Sequence, residues 1–408
     1  MKYIILIGDG MADYPVKELG GKTPLEYADI PNLDRLAATG KFGLFATVPT
    51  GMSPGSDVAN LSVLGYDPKR YYTGRAPLEA ASIGVKLEAG DIAFRCNLVT
   101  LKQEGGSMVM EDYSAGHIST EEASEIVLDL DKALAGGGVR FYPGTGYRHL
   151  MVWKGGTKAL KTTPPHDISD KKIDGHLPSG SGADKLIGLM KGSWDILKGH
   201  PVNRKRAEAG KRPATSIWLW GQGSAPAMPT LKERFGVEGS IISAVDLMKG
   251  IGIYAGLEVI KVPGATGYID TNYRGKADYA LASLEKKAFV CVHVEAPDEA
   301  GHNGNLKDKV RAIEDFDREV VGRVLKGLER FGGWRLLALP DHPTPVALKT
   351  HTPDPVPFAL CDGGALHKEM GAARFTEAAA ADSGVLVEDC GAMIEELFGR
   401  TERVCGVK

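Results

Sequence analysis

The strongest constraint on the fold of this 408-residue chain is a series of short apolar runs, each followed by Gly, Asp or Pro. The runs have the length and composition of buried strands, and longer helical stretches separate them. Strands that alternate with helices predict an α/β fold, with a mostly parallel sheet flanked by helices. The runs are KYIILIG, SIWLWGQG, GLEVIKVPG, KAFVCVHVEAP and WRLLALP, at residues 2–8, 216–223, 256–264, 287–297 and 334–340.

The helical stretches show amphipathic spacing, most clearly at 309–332, which predicts one long helix there. The chain between about 75 and 205 is richer in Gly, Ser and Pro and has shorter, less hydrophobic strand candidates. We therefore predict a smaller α/β domain, residues 75–205, inserted into a main domain formed by residues 1–74 and 206–408. A basic run, NRKRAEAGKRP, follows the insert and is interpreted as a linker or a solvated face.

Composition and charge exclude several classes of protein. Apolar residues make up 43% and charged residues 25% of the chain, and the net charge of −3 gives no reason to expect a nucleic-acid partner. The apolar run at the amino terminus is too short for a signal peptide or a membrane span. The five scattered cysteines form no CxxC pair, which favours a reducing cytoplasm. GGKT at 20–23 lacks the first glycine of a phosphate-binding loop, so no nucleotide site is predicted. The sequence does not specify an oligomeric state.

Metal-type ligands follow three of the predicted strands. Because ligands gather at the carboxyl ends of strands in an open α/β sheet, we expect these side chains to meet in one crevice. A further histidine on a Pro-rich return loop is able to join them. The residues are Asp9, Asp298, His302, Asp341, His342 and His351.

The spacing of these ligands favours a pair of ions. One helical turn separates Asp298 from His302 and directs both to the same side. Asp341 and His342 are adjacent, so their side chains diverge and each can reach a different ion. A mixed Asp/His set suits Mn²⁺ or Zn²⁺. Two such ions, roughly 3.5–4 Å apart, stabilise the attacking and leaving oxygens of a phosphoryl transfer.

Ser56 has two possible roles. It stands where an apolar helix is about to begin, which is typical of a helix N-cap. Its hydroxyl is also a candidate nucleophile, since a metal ion can activate it and a helix amino terminus favours an incoming phosphate. No GxSxG signature surrounds it, so metal activation is the better hypothesis for a catalytic role.

The order of the motifs resembles one family. GDG, PGSDVANLSVLGYDP, YYTGRAPLEA, PDEAGH, PDH and HTPDPVPF follow one another as in the archaeal-type 2,3-bisphosphoglycerate-independent phosphoglycerate mutases of the alkaline phosphatase superfamily. The resemblance runs over essentially the whole chain. It implies an alkaline-phosphatase-like α/β domain interrupted by an inserted α/β domain, with the active site in the cleft between them.

The resemblance also implies roles for individual residues. Ser56 matches the serine that is transiently phosphorylated while 3-phosphoglycerate and 2-phosphoglycerate interconvert. It implies two divalent metal ions, Mn or Zn and possibly Mg or Co. One ion would be bound by Asp298, His302 and His351, and the other by Asp9, Ser56, Asp341 and His342. The predicted substrate contacts are Arg75, His117, Arg148, His149, Arg274 and Lys276.

Three departures from the mutase pattern leave the acceptor open. Asn60 stands where these mutases often have histidine, and Ser114 and His117 stand in place of arginines. A bacterial branch of the family, proposed to be homoserine kinases, has similar motifs. The first hypothesis is therefore a phosphoglycerate mutase, and the alternative is a homoserine kinase with the same phosphoserine chemistry. A protein whose metals only stabilise the fold is a third, which the presence of Ser56 argues against.

Overall fold

The computed structural model describes residues 1–367, 371 and 373–399. Fifteen strands are assigned in them. They are β1 (Lys2–Gly8), β2 (Lys41–Phe45), β3 (Ile92–Glu104), β4 (Ser107–Asp112), β5 (Val139–Thr145), β6 (Arg148–Trp153), β7 (Leu160–Lys161), β8 (Ser179–Gly180), β9 (Ser216–Gly223), β10 (Gly239–Ile242), β11 (Glu258–Val259), β12 (Phe289–Val294), β13 (Trp334–Leu339), β14 (Val356–Asp362) and β15 (Leu386–Val387).

Sixteen α-helices are assigned in the same residues. They are α1 (Pro24–Tyr27), α2 (Pro31–Thr39), α3 (Ser56–Val63), α4 (Pro68–Tyr71), α5 (Arg75–Ser82), α6 (Thr120–Leu134), α7 (Ala183–Lys198), α8 (Pro201–Glu208), α9 (Leu231–Phe235), α10 (Asp246–Tyr254), α11 (Tyr273–Lys286), α12 (Ala296–His302), α13 (Leu306–Asp315), α14 (Gly322–Leu328), α15 (Glu377–Asp382) and α16 (Cys390–Phe398). None of the helices in the described part of the chain is long and apolar enough to cross a membrane.

The chain divides into two compact units. Unit 1 comprises Met1–Tyr72 and Ala227–Lys408, and unit 2 comprises Thr73–Pro226. The predicted insert, residues 75–205, lies within unit 2, which continues to Pro226. The chain stays in unit 2 until β9 has paired with β3, from Ala93↔Gly223 to Val99↔Ser216.

Unit 1 is built on an eight-stranded sheet in the order β11-β10-β12-β1-β13-β14-β2-β15. Five of its neighbouring pairs are parallel, and only β14 runs antiparallel to β13 and β2. This confirms the predicted mostly parallel α/β sheet. Ile4, Ile5, Leu6 and Ile7 of β1 are all fully buried, so both faces of the central strand are covered, as a continuous apolar run requires.

Unit 2 has its own antiparallel sheet, β4-β3-β6-β5, with β9 also paired to β3. Its hydrophobic core contains residues of α6, α7 and this sheet. Two expectations fail here. β3 is the longest strand of the described chain at 13 residues, although this region was expected to hold shorter strands. SIWLWGQG is a strand, β9, but it belongs to this antiparallel sheet.

The basic run after the insert is not a linker. Residues Pro201–Glu208 form α8, and Arg206 is only 2% exposed. The Arg206 guanidinium donates to Glu122, to the Ala115 carbonyl at 2.7 Å and to the Arg212 carbonyl at 3.0 Å. Burial of an arginine requires such partners, because an unpaired buried charge is costly. Asn203 and Arg206 thus anchor the run in unit 2, while residues 204, 205 and 207–212 are exposed, as expected for a solvated face.

Candidate active site

The carboxyl ends of β12, β1 and β13 lie side by side in unit 1. Gly8 is in register with Val294, and Ile7 with Leu339. Asp9 follows β1 directly, Asp341 is the second residue after β13, and Asp298 lies in the first turn of α12, which follows β12. The sheet thus brings the three acidic side chains to one edge although they are distant in sequence. All three are buried, with exposures of 1%, 4% and 0%.

One half of the site is formed by α12 and the return loop. His302 Nε2 lies 3.3 Å from Asp298 Oδ2, one helical turn away. His351 Nε2 lies 3.4 Å from Asp298 Oδ1 and 2.8 Å from His302 Nε2. His302 Nδ1 is 3.0 Å from the Lys349 carbonyl, which can only accept. His302 therefore donates through Nδ1 to this carbonyl, and its Nε2 faces Asp298 and His351.

The other half is formed by the loops after β1 and β13. His342 Nε2 lies 3.6 Å from Asp9 Oδ1 and 3.5 Å from Asp341 Oδ2. Asp9 Oδ2 is 2.8 Å from His293 Nε2, whose Nδ1 is 3.1 Å from Ser243 Oγ. His293, a fully buried residue of β12, thus contacts Asp9 directly.

Ser56 is the first residue of α3, and its side chain does not cap the helix. Gly55 is at the N-cap position, and no side chain caps α3. The Ser56 hydroxyl instead lies 3.2 Å from His342 Nε2. Asn60, one turn further, donates through Nδ2 to Asp341 Oδ2 at 2.7 Å and to the Ser56 carbonyl at 2.9 Å. The structure thus places Ser56 beside the acidic and imidazole cluster.

The cluster has the chemistry of a cation site. Asp9 Oδ1 is buried and has no hydrogen-bond partner among the described residues. Burial, followed by the charges of Asp341 and Asp298, raises the pKa of Asp9 well above its usual range. Groups able to hold an ion are Asp298/His342/His351, Asp9/His293/Asp341 and Asp9/Glu295/Asp298. The residues therefore fit divalent metal ions, which would supply the missing positive charge.

The predicted substrate residues of unit 2 do not all share one environment. Arg148 is exposed, and its guanidinium lies 4.6 Å from the centre of the Tyr147 ring. His149 is only 3% exposed, and its Nδ1 accepts a hydrogen bond from the Gly144 N–H. Consecutive residues of a strand point to opposite faces, so the two cannot face one ligand together. His117 is exposed, in the left-handed region with φ 48°.

A group of arginines in unit 2 includes one that the sequence did not single out. Arg95 is 6% exposed, lies 2.9 Å from Glu79 and stacks on Trp220 at 4.2 Å. Arg75 is 3.5 Å from the same Glu79. One carboxylate thus pairs with two guanidinium groups.

The two predicted substrate residues on α11 differ in exposure. Arg274 is 68% exposed and forms an ion pair with Glu319 at 2.6 Å. Lys276 is fully buried and donates to the His293 carbonyl at 3.0 Å, and burial lowers its pKa to about 8. Lys276 therefore lies behind the metal-type cluster, while Arg274 is on the surface.

Sequence reasoning missed three residues that contact the cluster. Asn60 and Thr344 are each buried and hydrogen-bonded to the acidic groups, and Glu295 belongs to one of the possible ligand groups. Thr344 stands two residues after His342, where an extended loop returns a side chain to the same side. This spacing from His342 is the sequence signal that could have identified Thr344.

Comparisons with known proteins show which family this chain is similar to. A family model described as 2,3-bisphosphoglycerate-independent phosphoglycerate mutase matches residues 37–203. A Geobacter sulfurreducens protein named probable 2,3-bisphosphoglycerate-independent phosphoglycerate mutase is 56% identical, covering 98% of this chain and 100% of its own. The mutase of Methanosarcina acetivorans is 57% identical, covering 88% of this chain and 90% of its own.

Solved structures share the fold. A structure of a Pyrococcus horikoshii protein covers 100% of both chains with a TM-score of 0.83 and 29% identity. The cofactor-independent phosphoglycerate mutase of Thermoplasma acidophilum has a TM-score of 0.65 and 27% identity, covering 98% of this chain and 99% of its own. With relatives above half identity along nearly its full length, this chain belongs to the 2,3-bisphosphoglycerate-independent phosphoglycerate mutase family.

Proposed function

We propose that this protein interconverts 3-phosphoglycerate and 2-phosphoglycerate without bisphosphoglycerate, through transient phosphorylation of Ser56. The observation that carries the proposal is the Ser56 hydroxyl, which caps no helix and lies 3.2 Å from His342 in a cluster that fits divalent ions. The mutase names of relatives at 54–57% identity favour this function over a homoserine kinase.

The cluster divides between two ions in this proposal. Asp298, His302 and His351 would hold one, and Asp9, Ser56, Asp341 and His342 would hold the other. Mn²⁺ or Zn²⁺ suits this mixture of carboxylates and imidazoles, and Mg²⁺ or Co²⁺ are further candidates. When bound, the ions would lower the pKa of a hydroxyl ligand and neutralise charge on the phosphoryl group.

The chain's own residues carry out two opposite transfers. In the first, a bond forms between Ser56 Oγ and phosphorus, the bond from phosphorus to the substrate oxygen breaks, and that oxygen gains the proton which Ser56 loses. In the second, the neighbouring substrate hydroxyl takes the phosphoryl group, and Ser56 regains a proton. The first turn of α3 presents backbone N–H groups beside Ser56 and favours the anionic phosphoryl group.

The test uses the full chain supplied with Mn²⁺ and 3-phosphoglycerate. Phosphorus NMR separates the two phosphoglycerates, and mass spectrometry of acid-quenched protein locates a phosphate on the Ser56 peptide. We expect Ser56→Ala to lower kcat by about 10³-fold or more. The matched control is Ser62→Ala, because Ser62 is a buried serine of the same helix whose hydroxyl has no hydrogen-bond partner among the described residues.

A parallel assay separates the two acceptors. The protein is given homoserine and a phosphoryl donor, and O-phosphohomoserine is sought. Its formation without interconversion of phosphoglycerates would favour the kinase alternative. Normal turnover by Ser56→Ala would remove Ser56 as the nucleophile.

A further inference from the structure

Thr344 is enclosed by the three segments that carry the acidic groups. It is fully buried. A Cβ atom on Gly10, whose φ is +63°, would lie 2.6 Å from Thr344 Oγ1, and one on Gly301 would lie 2.5 Å from the Thr344 carbonyl oxygen. The loops after β1 and β13 and helix α12 therefore pack tightly around Thr344.

The Thr344 hydroxyl lies between the two halves of the cluster. Its Oγ1 is 2.5 Å from Asp298 Oδ1 and 3.2 Å from His342 Nδ1. The hydroxyl has one proton and two lone pairs. Asp298 Oδ1 is a carboxylate oxygen and accepts at this short distance. The hydroxyl therefore donates to Asp298, and its lone pair faces His342 Nδ1.

This arrangement determines which nitrogen of His342 carries the proton. A lone pair on Thr344 Oγ1 requires an N–H at His342 Nδ1. The proton of neutral His342 is then on Nδ1, and Nε2 keeps its lone pair. Nε2 is the atom that faces Ser56 Oγ at 3.2 Å and Asp9 Oδ1 at 3.6 Å. Either a metal ion or the Ser56 hydroxyl needs that lone pair.

A buried ion pair holds the Thr344 backbone in place. Lys309 Nζ donates to the Thr344 carbonyl at 2.8 Å, to Asp13 Oδ2 at 2.7 Å and to the Ala12 carbonyl at 3.2 Å. Lys309 is fully buried, and the Asp13 side chain is 1% exposed. Lys309 thus connects the loops after β1 and β13 behind the cluster. This connection fixes the position of the Thr344 hydroxyl relative to His342.

We infer that Thr344 is a positioning residue that sets the Nδ1–H tautomer of His342 and joins the two halves of the metal site. The inference rests on the proposed function, since it concerns the same site. Thr344 touches neither Ser56 nor the reacting atoms. It acts by orienting Asp298 and His342.

The test measures metal binding and the tautomer in addition to activity. Isothermal titration of metal-free full-length protein with Mn²⁺ gives the affinity of each site. Nitrogen-15 NMR of histidine-labelled metal-free protein, with His342 assigned by His342→Gln, gives the tautomer. The variants are Thr344→Val, which removes the hydroxyl at nearly constant volume, and Thr344→Ser, which restores it.

We expect Thr344→Val to weaken Mn²⁺ binding by about 10–100-fold, the range found for partners of metal ligands, and to lower kcat more than it changes KM. Thr344→Ser should bind Mn²⁺ within about threefold of wild type, a smaller change than that range. Thr100→Val is the control, because Thr100 is also buried and its hydroxyl donates to the Pro213 carbonyl at 2.8 Å in unit 2. It should lose stability without losing Mn²⁺ affinity.

Wild-type Mn²⁺ affinity in Thr344→Val would overturn the inference. So would an Nε2–H tautomer of His342 in the wild-type protein, a result that decides the question even if Thr344→Val does not fold. Failure of the proposed function has a different signature, namely wild-type protein that binds Mn²⁺ with the Nδ1–H tautomer but does not turn over phosphoglycerate.

Discussion

Asp9 is a residue of the candidate site that lowers the stability of the metal-free protein. Its buried carboxylate lies near those of Asp341 and Asp298, and burial and these charges raise its pKa, which disfavours the ionised form. In Asp9→Asn, the amide oxygen can still accept from His293, and the amide N–H₂ can donate to Asp341. We therefore expect this variant to be more stable than wild type without metal, by about 1–3 kcal/mol, and less stabilised by Mn²⁺. Urea unfolding with chelator and with Mn²⁺ measures both effects.

The control for Asp9→Asn is Asp195→Asn, because Asp195 is an exposed residue of α7. Asp195→Asn should change neither the stability of the metal-free protein nor its stabilisation by Mn²⁺ by more than about 0.5 kcal/mol. A chelated Asp9→Asn protein less stable than wild type would show that repulsion among the carboxylates is not the dominant effect.

His149 predicts acid sensitivity of unit 2. Burial lowers the pKa of its imidazole from 6.5 to about 3. Below pH 6.5 the unfolded chain binds a proton that the folded chain does not, so stability is lost as pH falls from 6.5 towards about 3. This one group contributes a slope of up to about 1.4 kcal/mol per pH unit. His149→Asn keeps an acceptor for the Gly144 N–H and should reduce the measured slope by that amount.

The measurement for His149 is the free energy of unfolding by urea at several pH values between 4 and 7. His176→Asn, in the same unit, leaves His149 in place and should retain the wild-type slope. An unchanged slope in His149→Asn would mean that the imidazole is protonated in the folded protein.

At the level of single residues, the sequence identifies groups with obvious chemistry at strand ends. Asp9, Asp341 and His342 were predicted because parallel strands bring their carboxyl ends to one edge. Asn60 and Thr344 were missed, because a helix interior and a loop give neutral polar residues no distinctive pattern. Arg95 was missed because it alternates with apolar residues inside β3 and finds its partner on α5, which only the fold reveals.

Helix α2 is capped by a residue from a distant element. Its N-cap residue, Ile30, makes no side-chain hydrogen bond. Asp317, in the π-helical segment Phe316–Val321, instead accepts from the Leu33 N–H at 2.7 Å and from the Asn32 N–H at 3.2 Å. Loss of these acceptors leaves helix N–H groups unpaired in the protein interior, so we expect Asp317→Ala to cost about 2–3 kcal/mol in urea unfolding.

Two variants test whether capping is the reason. Asp317→Asn retains one acceptor oxygen and should lose less stability than Asp317→Ala. Asp278→Ala removes a carboxylate that is 49% exposed and paired with Arg323, so it should cost no more than about 1 kcal/mol. Equal losses for Asp317→Ala and Asp278→Ala would contradict a capping role.

Residues 309–332 show what amphipathic spacing can and cannot predict about secondary structure. Amphipathic spacing correctly predicted helix over most of 309–332, but it did not predict the π-helical interruption between α13 and α14. Asp317 within this interruption contacts α2, a contact across 285 residues that periodicity cannot detect. Each of the five apolar runs contains a strand, although GLEVIKVPG contains only the two-residue β11. Strands β2, β10, β14 and β15 of the main sheet were not predicted, and the assignment of β9 to a sheet depended on pairing that hydrophobicity does not encode.

At the level of the whole molecule, the two ends of unit 2 adjoin each other. Thr73 donates through Oγ1 to the Ser224 carbonyl at 2.6 Å. Unit 1 and unit 2 also have separate hydrophobic cores. A short linker can therefore replace residues 73–226 with little cost in chain entropy. We expect the shortened chain to fold and to keep Mn²⁺-dependent stabilisation, because all seven predicted ligands belong to unit 1.

The shortened chain should have no mutase activity, since Arg75 and Arg148 leave with unit 2. The separate 73–226 fragment should unfold cooperatively and keep the acid sensitivity attributed to His149. Circular dichroism and thermal unfolding with and without Mn²⁺ test both pieces. An unfolded shortened chain would mean that unit 1 depends on unit 2 for its stability. Loss of the Mn²⁺ effect in a folded one would mean that the metal site needs residues outside unit 1, contrary to the ligand set proposed here.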